Sequence, residues 1–269
     1  MLARHGFTVF GGVRRGEDGE VLERDARGDV RALRLDVTDE EQVGRAAEIV
    51  DQAVGEAGLA GLVNNAGVAI GGPVESIPLD DLRRQLEVNL IGQVGVTQAF
   101  LPALRRARGR IVNMSSVGGR VASPFFGPYN ASKFGLEAIS DALRIELRPW
   151  GIDVSVIEPG SVATDIWDRG AATARAVRAR MGDGSEALYG EALDAMGTAA
   201  AKMGKEGLHP DRVAKAIAHA LTARRPKSRY LIGREARLMV GASNVLPTRV
   251  YDAVVERTVG LPRKPPSSD

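Results

Sequence analysis

The sequence predicts an α/β protein built on a doubly wound parallel sheet. Two observations carry this reading. Short apolar runs of strand length alternate with longer stretches whose apolar residues recur at helical spacing. No internal repeat and no linker-like segment divides the 269 residues, so one domain over 1–260 is expected, with a disordered Pro/Ser-rich tail at 261–269.

The elements follow in order. Phe7–Gly11 is apolar enough for a buried strand, and Val30–Val37 alternates as a second. Val43, Ala46, Ala47, Val50 and Val54 form one helical stripe across Glu40–Ala57. Gly61–Asn64 is a short strand. Leu79–Arg106 is a long helix, with a kink or break expected at Pro102. Arg110–Met114 is a strand, Tyr129–Arg148 a helix, and Asp153–Glu158 a strand closed by Pro159-Gly160. The stretch 161–208 is rich in Ala, Gly and Arg, with mixed helical signals. Asp211–Ala223 is a helix with Asp211 as its N-cap. Arg229–Ile232 is the last strand, followed by a weaker helix.

Composition narrows the function classes. Apolar residues make up 44% and charged residues 26%, as in ordinary soluble domains. With no cysteine, disulfides, thiolate catalysis and cysteine-ligated zinc are excluded. His5, His209 and His219 are the three histidines, with no His-x-x-x-His pair, so no metal site is expected. Net charge is only +2. The densest basic run, Arg105, Arg106, Arg108 and Arg110, suits a helix C-terminus rather than nucleic acid. No apolar stretch approaches the ~18 residues of a membrane span, and the N-terminus lacks a signal-peptide pattern. A cytoplasmic location is expected.

Ligands of such sheets sit at the carboxyl ends of strands. That rule selects Arg14, Asp36, Asn64–Gly67, Ser115-Ser116 and Pro159–Thr164. Tyr129 and Lys133 lie four apart on a predicted helix and share a face. A free tyrosine, with a pKa near ~10, is a poor base at neutral pH. A nearby ammonium lowers that value and makes the phenol usable in alcohol–carbonyl chemistry. Ser116 stands just upstream, able to hold a substrate oxygen. Small residues in Asn64-Asn65-Ala66-Gly67 allow a cofactor ring close to the backbone. Asn89, a weak helix former inside VNLIG, invites a polar role.

In this order NNAG, the helical asparagine, IVNMSS, YNASK and PGSVAT resemble the short-chain dehydrogenase/reductase family, from about Phe7 to about Ile232. The resemblance implies a Rossmann-like fold and an NAD(P)-dependent oxidoreductase acting on a secondary alcohol or ketone. It implies Tyr129 as general acid/base, Lys133 on the nicotinamide ribose and lowering the tyrosine pKa, and Ser116 orienting the substrate oxygen. Asn89 would hold a water in a proton relay through Lys133. Asp36 and Val37 would contact adenine, while Asn65, Ala66 and Gly67 would line the adenosine-ribose side. Pro159, Gly160, Val162 and Thr164 would grip the nicotinamide end. Arg14, at a strand end with no acid until Glu17, favours NADP, with NAD as the other candidate. A homo-oligomer is the family expectation.

One departure stands out. The family's opening strand, its TGxxxGxG-type loop and most of the first helix have no counterpart in this sequence, and MLARHGF resembles the last turn of that helix, stopped by Gly6. In the strand order 3-2-1-4-5-6 the first strand separates the second from the fourth, so the sheet is expected to lose a shared neighbour and the diphosphate its amide cradle. A catalytically impaired cofactor-binding or regulatory relative is therefore the alternative reading, and a sugar-nucleotide epimerase or dehydratase a third. Phe125, Phe126 and Trp167 flank the expected site and suggest an apolar substrate. RYLIGREARLM resembles steroid- and retinoid-type members of the family.

Overall fold

The strands form two parallel sheets. The structure, a computed structural model, describes residues 1–164, 166–182 and 184–259. β1 (Val9–Val13) pairs with β2 (Val30–Arg34) from Val9 opposite Val30 to Val13 opposite Arg34. The second sheet runs β3 (Gly61–Asn64), β4 (Arg110–Met114), β5 (Asp153–Pro159), β6 (Arg229–Ile232), parallel throughout. Among the described residues no strand joins β1 to β3, so each has an unpaired edge. This is the place where the expected order lacks its shared strand.

Helices cover both faces of the larger sheet. Successive residues of β4 point to opposite sides. Ile111 packs with Val43, Ala46 and Val50 of α2 (Glu40–Val54) and with Val96, Phe100 and Leu104 of α4 (Gly92–Ala107). Val112 packs on the other side with Ile157 and with Val213 and Ala220 of α8 (Pro210–Thr222). Phe10, Leu33, Leu35 and Val37 join the first of these clusters, so α2 and α4 share one core with both sheets. Inside it runs a ladder of amides. Asn64 Nδ2 donates to Thr97 Oγ1 at 2.8 Å and to Asn113 Oδ1 at 2.9 Å, and Asn113 Nδ2 donates to Ser140 Oγ at 2.8 Å. Fully partnered, such a buried network fixes the register of the strands and helices it links.

Several sequence expectations are corrected. The long helix at 79–106 is three pieces: α3 (Leu79–Leu86), a π-helical turn at Glu87–Ile91, then α4. Pro102 lies inside α4 without ending it, held by its buried neighbours Phe100, Ala103 and Leu104. The irregularity falls instead at Asn89, whose side chain bonds another segment. Asp211 is not the N-cap of α8; His209 is, its Nδ1 accepting from the Asp211 N–H at 3.3 Å, with Pro210 in the first position. β1 begins two residues later than expected. A helix at Gly16–Asp25, α1, was not foreseen. Gly6 does close a helical turn, 3₁₀ in kind, at φ 84°, and Arg105 and Arg106 do stand in the last turn of α4. The expected tail at 261–269 lies outside the described residues.

Candidate active site

β4 delivers the chain to Ser115, whose N–H donates to Ile157 O at 2.9 Å and extends the sheet by one residue. Ser116 then caps a 3₁₀ turn (Val117–Gly119), its Oγ accepting from the Gly118 N–H at 3.1 Å. α5 (Gly127–Glu146) starts with Pro128 in its first turn and places Tyr129 and Lys133 one above the other. Gly118 lies where the two segments meet. A Cβ there would come 3.2 Å from Tyr129 Cε1 and 3.5 Å from Ser116 Oγ.

Electrostatics follow from burial. The nearby Ser116 hydroxyl favours the ionised Tyr129 phenol, but desolvation outweighs that pull and pushes the phenol's pKa above its ordinary value. Lys133 is 5% exposed. Its Nζ donates to Met114 O at 2.7 Å and stands 5.8 Å from the Tyr129 ring centre. Burial draws its pKa down to about 8, against the pull of Glu137. The expected lowering of the tyrosine pKa is therefore not the direction found, because desolvation dominates at the phenol and the lysine bonds a backbone carbonyl. A neutral phenol is the form that donates a proton.

Asn89 is fully buried, not a solvent-facing helix residue. Its Oδ1 accepts from the Val68 N–H at 2.8 Å; its Nδ2 donates to Val68 O at 2.9 Å and Ser132 Oγ at 3.2 Å. The amide so pins the segment after Asn64 to α5. Gly67 brings this group to the lysine: a Cβ there would lie 3.5 Å from Asn89 Oδ1 and 3.9 Å from Lys133 Nζ. π-turns of this kind recur at functional sites.

The remaining expected residues spread along the strand ends. Asn65 and Gly67 are exposed, and Ala66 O accepts from Gln93 Nε2 at 2.7 Å. Pro159 closes β5, and the Gly160 N–H donates to Ile232 O at 2.9 Å. Val162 bridges to Leu208, and Thr164 is exposed. Arg14 is exposed just beyond β1, with no ion pair among the described residues. The Asp36 carboxylate accepts from Thr38 N at 3.0 Å and Thr38 Oγ1 at 2.8 Å, so it is engaged in its own turn. Val37 packs against α4, where a Cβ on Gly92 would strike its carbonyl at 2.6 Å. Phe126 meets Tyr129 edge-on at 6.5 Å, and Phe125, at φ 63°, meets Tyr189 at 6.1 Å. The Trp167 side chain lies outside what is described.

A nicotinamide cofactor fits the end of this site near Gly67, where side-chain-free backbone borders Asn89 and Lys133. The diphosphate does not find its usual cradle: among the described residues no glycine-rich turn leads into a helix between β1 and β3. Sequence reasoning missed Gln85, Gln93 and Ser132, which hold the site's backbone. Gln85 Nε2 donates to Val68 O at 2.9 Å, and Ser132 Oγ donates to Tyr129 O at 2.7 Å. Polar residues at apolar helix positions were the one available signal.

Comparison with known proteins agrees with this geometry. A family model described as short chain dehydrogenase matches residues 1–174. Retinol dehydrogenase 5 of Mus musculus is 42% identical over 269 residues, covering 98% of this chain and 84% of that protein. An NADPH-dependent 3-dehydrocapnine reductase of Ornithobacterium rhinotracheale is 35% identical, covering 93% and 87%. A short-chain dehydrogenase from Streptomyces avermitilis superposes with TM-score 0.75 at 28% identity, over 96% of this chain and 89% of that one. A short-chain dehydrogenase from Burkholderia cenocepacia in complex with NADP shares the fold, at TM-score 0.68 and 23% identity, over 95% and 87%. The chain belongs to the short-chain dehydrogenase/reductase family of NAD(P)-dependent oxidoreductases.

Proposed function

We propose that the chain interconverts a secondary alcohol and a ketone, with Tyr129 moving the proton and NADP(H) as the preferred cofactor. The observation that carries the reading is the convergence of Ser116 and Tyr129 on Gly118, with Lys133 one helical turn from the phenol. Ser116 orients the substrate oxygen. Tyr129, held neutral by burial, donates its proton to that oxygen as the carbonyl is reduced, and accepts it back in the reverse direction. Lys133 steadies the developing phenolate and would hold the nicotinamide ribose. Asn89 keeps the backbone beside it in place. Bound NADP(H) supplies or receives the hydride. Support for NADP comes from Arg14 at the end of β1, where no carboxylate stands, and from the relative that is named NADPH-dependent.

An apolar substrate accords with Phe126 beside the phenol and with the retinol dehydrogenases among the relatives. Among the described residues no helix is long and apolar enough to cross a membrane; a cytoplasmic homo-oligomer completes the proposal. A second reading, a cofactor binder of impaired catalysis, is favoured by one observation, the unpaired edges of β1 and β3. Following reduced-cofactor absorbance with an apolar ketone separates the two. Tyr129→Phe is expected to lower turnover by at least ~100-fold while NADPH affinity stays within a factor of about two. Turnover within tenfold of the parent would remove Tyr129 from the proton-transfer role.

A further inference from the structure

One turn beyond Lys133 on α5 stands Glu137, a buried acid that the chemistry above does not use. It belongs to a group of charges gathered from α5, the turn after β4, β5 and β6. Arg229 donates from Nε to Glu137 Oε2 at 3.2 Å and from Nη2 to Asp141 Oδ2 at 2.7 Å. Its Nε also stands 3.1 Å from Glu158 Oε1. Arg120, closing the 3₁₀ turn, reaches the same Glu158 oxygen at 3.2 Å. Glu158 is 1% exposed. Around Glu137 therefore stand Lys133 and Asp141 on its own helix, Ser115 and Arg120 from the turn, Glu158 from β5 and Arg229 from β6. Dry ion groups gain little net stability, because lost hydration offsets attraction. Stability alone does not account for so many charges in this place.

The geometry connects the group to the active centre. Ser115 Oγ and Glu137 Oε1 are buried and lack a well-formed hydrogen bond. Both border Gly119: a Cβ there would lie 2.6 Å from Ser115 Oγ, 3.0 Å from Lys133 O and 3.2 Å from Glu137 Cγ. The absence of a side chain at 119 thus lets α5 close on the turn that carries Ser116. Residues four apart on a helix are neighbours, and their charges interact strongly where water is excluded.

We propose that Glu137 is a positioning residue for the Ser116–Tyr129–Lys133 centre: gripped by Arg229, its carboxylate keeps Lys133 in the ammonium form, and its second oxygen takes the Ser115 hydroxyl to seat the turn behind Ser116. The proposal rests on reading that centre as the proton-transfer machinery. Burial and Glu158 push the Glu137 carboxyl up, while Ser115 and Arg229 pull it back. A carboxylate here raises the proton affinity of Lys133, so its removal lowers it.

The test is Glu137→Gln, which keeps the shape and deletes the charge. Lysine ¹³Cε signals of the full chain report protonation directly, with Lys133 assigned by its loss in Lys133→Met. The Lys133 midpoint, about 8 in the parent, is expected to fall by ~0.5 pH unit or more, and Glu137→Asp to restore most of it. The pH–rate profile for ketone reduction should move toward acid by a similar amount. An unmoved Lys133 midpoint in folded Glu137→Gln overturns the proposal. A second measurement needs no variant: the Glu137 carboxyl ¹³C signal of the parent should show an ionised group at pH 7, and a protonated one overturns the charge role. Neither NMR measurement uses turnover. Failure of the catalytic reading, seen as an active Tyr129→Phe, is thus distinguishable from failure of this one.

Discussion

The two sheets of this protein live in different surroundings. In the β3–β6 sheet, Ile111, Val112 and Asn113 of β4 and six consecutive residues of β5, Val154 to Pro159, are buried. In the β1–β2 sheet no residue of either strand reaches that state. The residues placed on the buried sheet and its helices are those proposed for proton transfer and its support: Ser116, Tyr129, Lys133 and Asn89. Those attached to the smaller sheet, Arg14 and Asp36, are the ones expected near the adenosine end. Side chains that must be placed to a fraction of an ångström stand on elements locked by packing and hydrogen bonds. Groups that contribute charge at longer range tolerate a looser support. β1 and β3 also each keep an unpaired edge among the described residues, where backbone donors and acceptors need partners.

The largest effect is expected at that seam. The chain joined at Met1 to a strand, a glycine-rich turn and a helix should pair both edges and offer helix amides to the diphosphate. Its NADPH affinity is expected to exceed that of the 269-residue chain by ~100-fold, about 2.7 kcal/mol, in calorimetric titrations run side by side. Equal affinities would show that the seam is without consequence for the cofactor.

Packing supplies the next test. Ile111 is fully buried on β4, and Leu33 is half-buried on β2, in the same core cluster. Ile111→Ala is expected to cost about 2.5 kcal/mol and Leu33→Ala about 1 kcal/mol, read from denaturant midpoints. Equal costs would erase the contrast between the sheets. Cofactor selection is a smaller effect. Arg14→Asp should shift the NADPH:NADH preference toward NADH by ~tenfold, or about 1.4 kcal/mol, and added salt should shrink the parent's own preference. A parent that already prefers NADH would sink the arginine argument.

The contrast also explains what the sequence made legible. Gly61–Asn64, Arg110–Met114 and Arg229–Ile232 are found where the apolar runs place them, because buried parallel strands are continuous apolar segments. α1 was missed because Gly16–Asp25 contains only Val21 and Leu22 as apolar residues and rests on the half-exposed sheet. The π-turn was invisible because its cause is tertiary: Asn89 spends its amide on Val68, 21 residues away. Tyr129 and Lys133 were readable because their helical spacing is local. The group around Glu137 was not, since Arg229 lies 92 residues along the chain. Local chemistry can be read from spacing; partners brought together by sheet order cannot.

The smallest expected effect concerns the cost of keeping Lys133 dry. Its pKa falls from an ordinary 10.5 to about 8 on folding, with burial as the main cause. Between those two values the unfolded chain binds one proton more than the folded chain, so stability rises with pH across that window. Below about 8 the folded protein carries a buried ammonium and the destabilisation is complete; above about 10.5 it is gone. Lys133→Met removes the titrating group. It also removes the bond to Met114 O, worth about 1 kcal/mol, and leaves Glu137 short of one cation. The net expectation at pH 7 is a gain of about 1 kcal/mol, or ~2–4 °C in Tm for a chain of this size, together with loss of turnover. The rise in stability between pH 8 and 10 should flatten. A Lys133→Met protein that is less stable than the parent at pH 7 and keeps the same pH slope would show that the lysine is not the strained group.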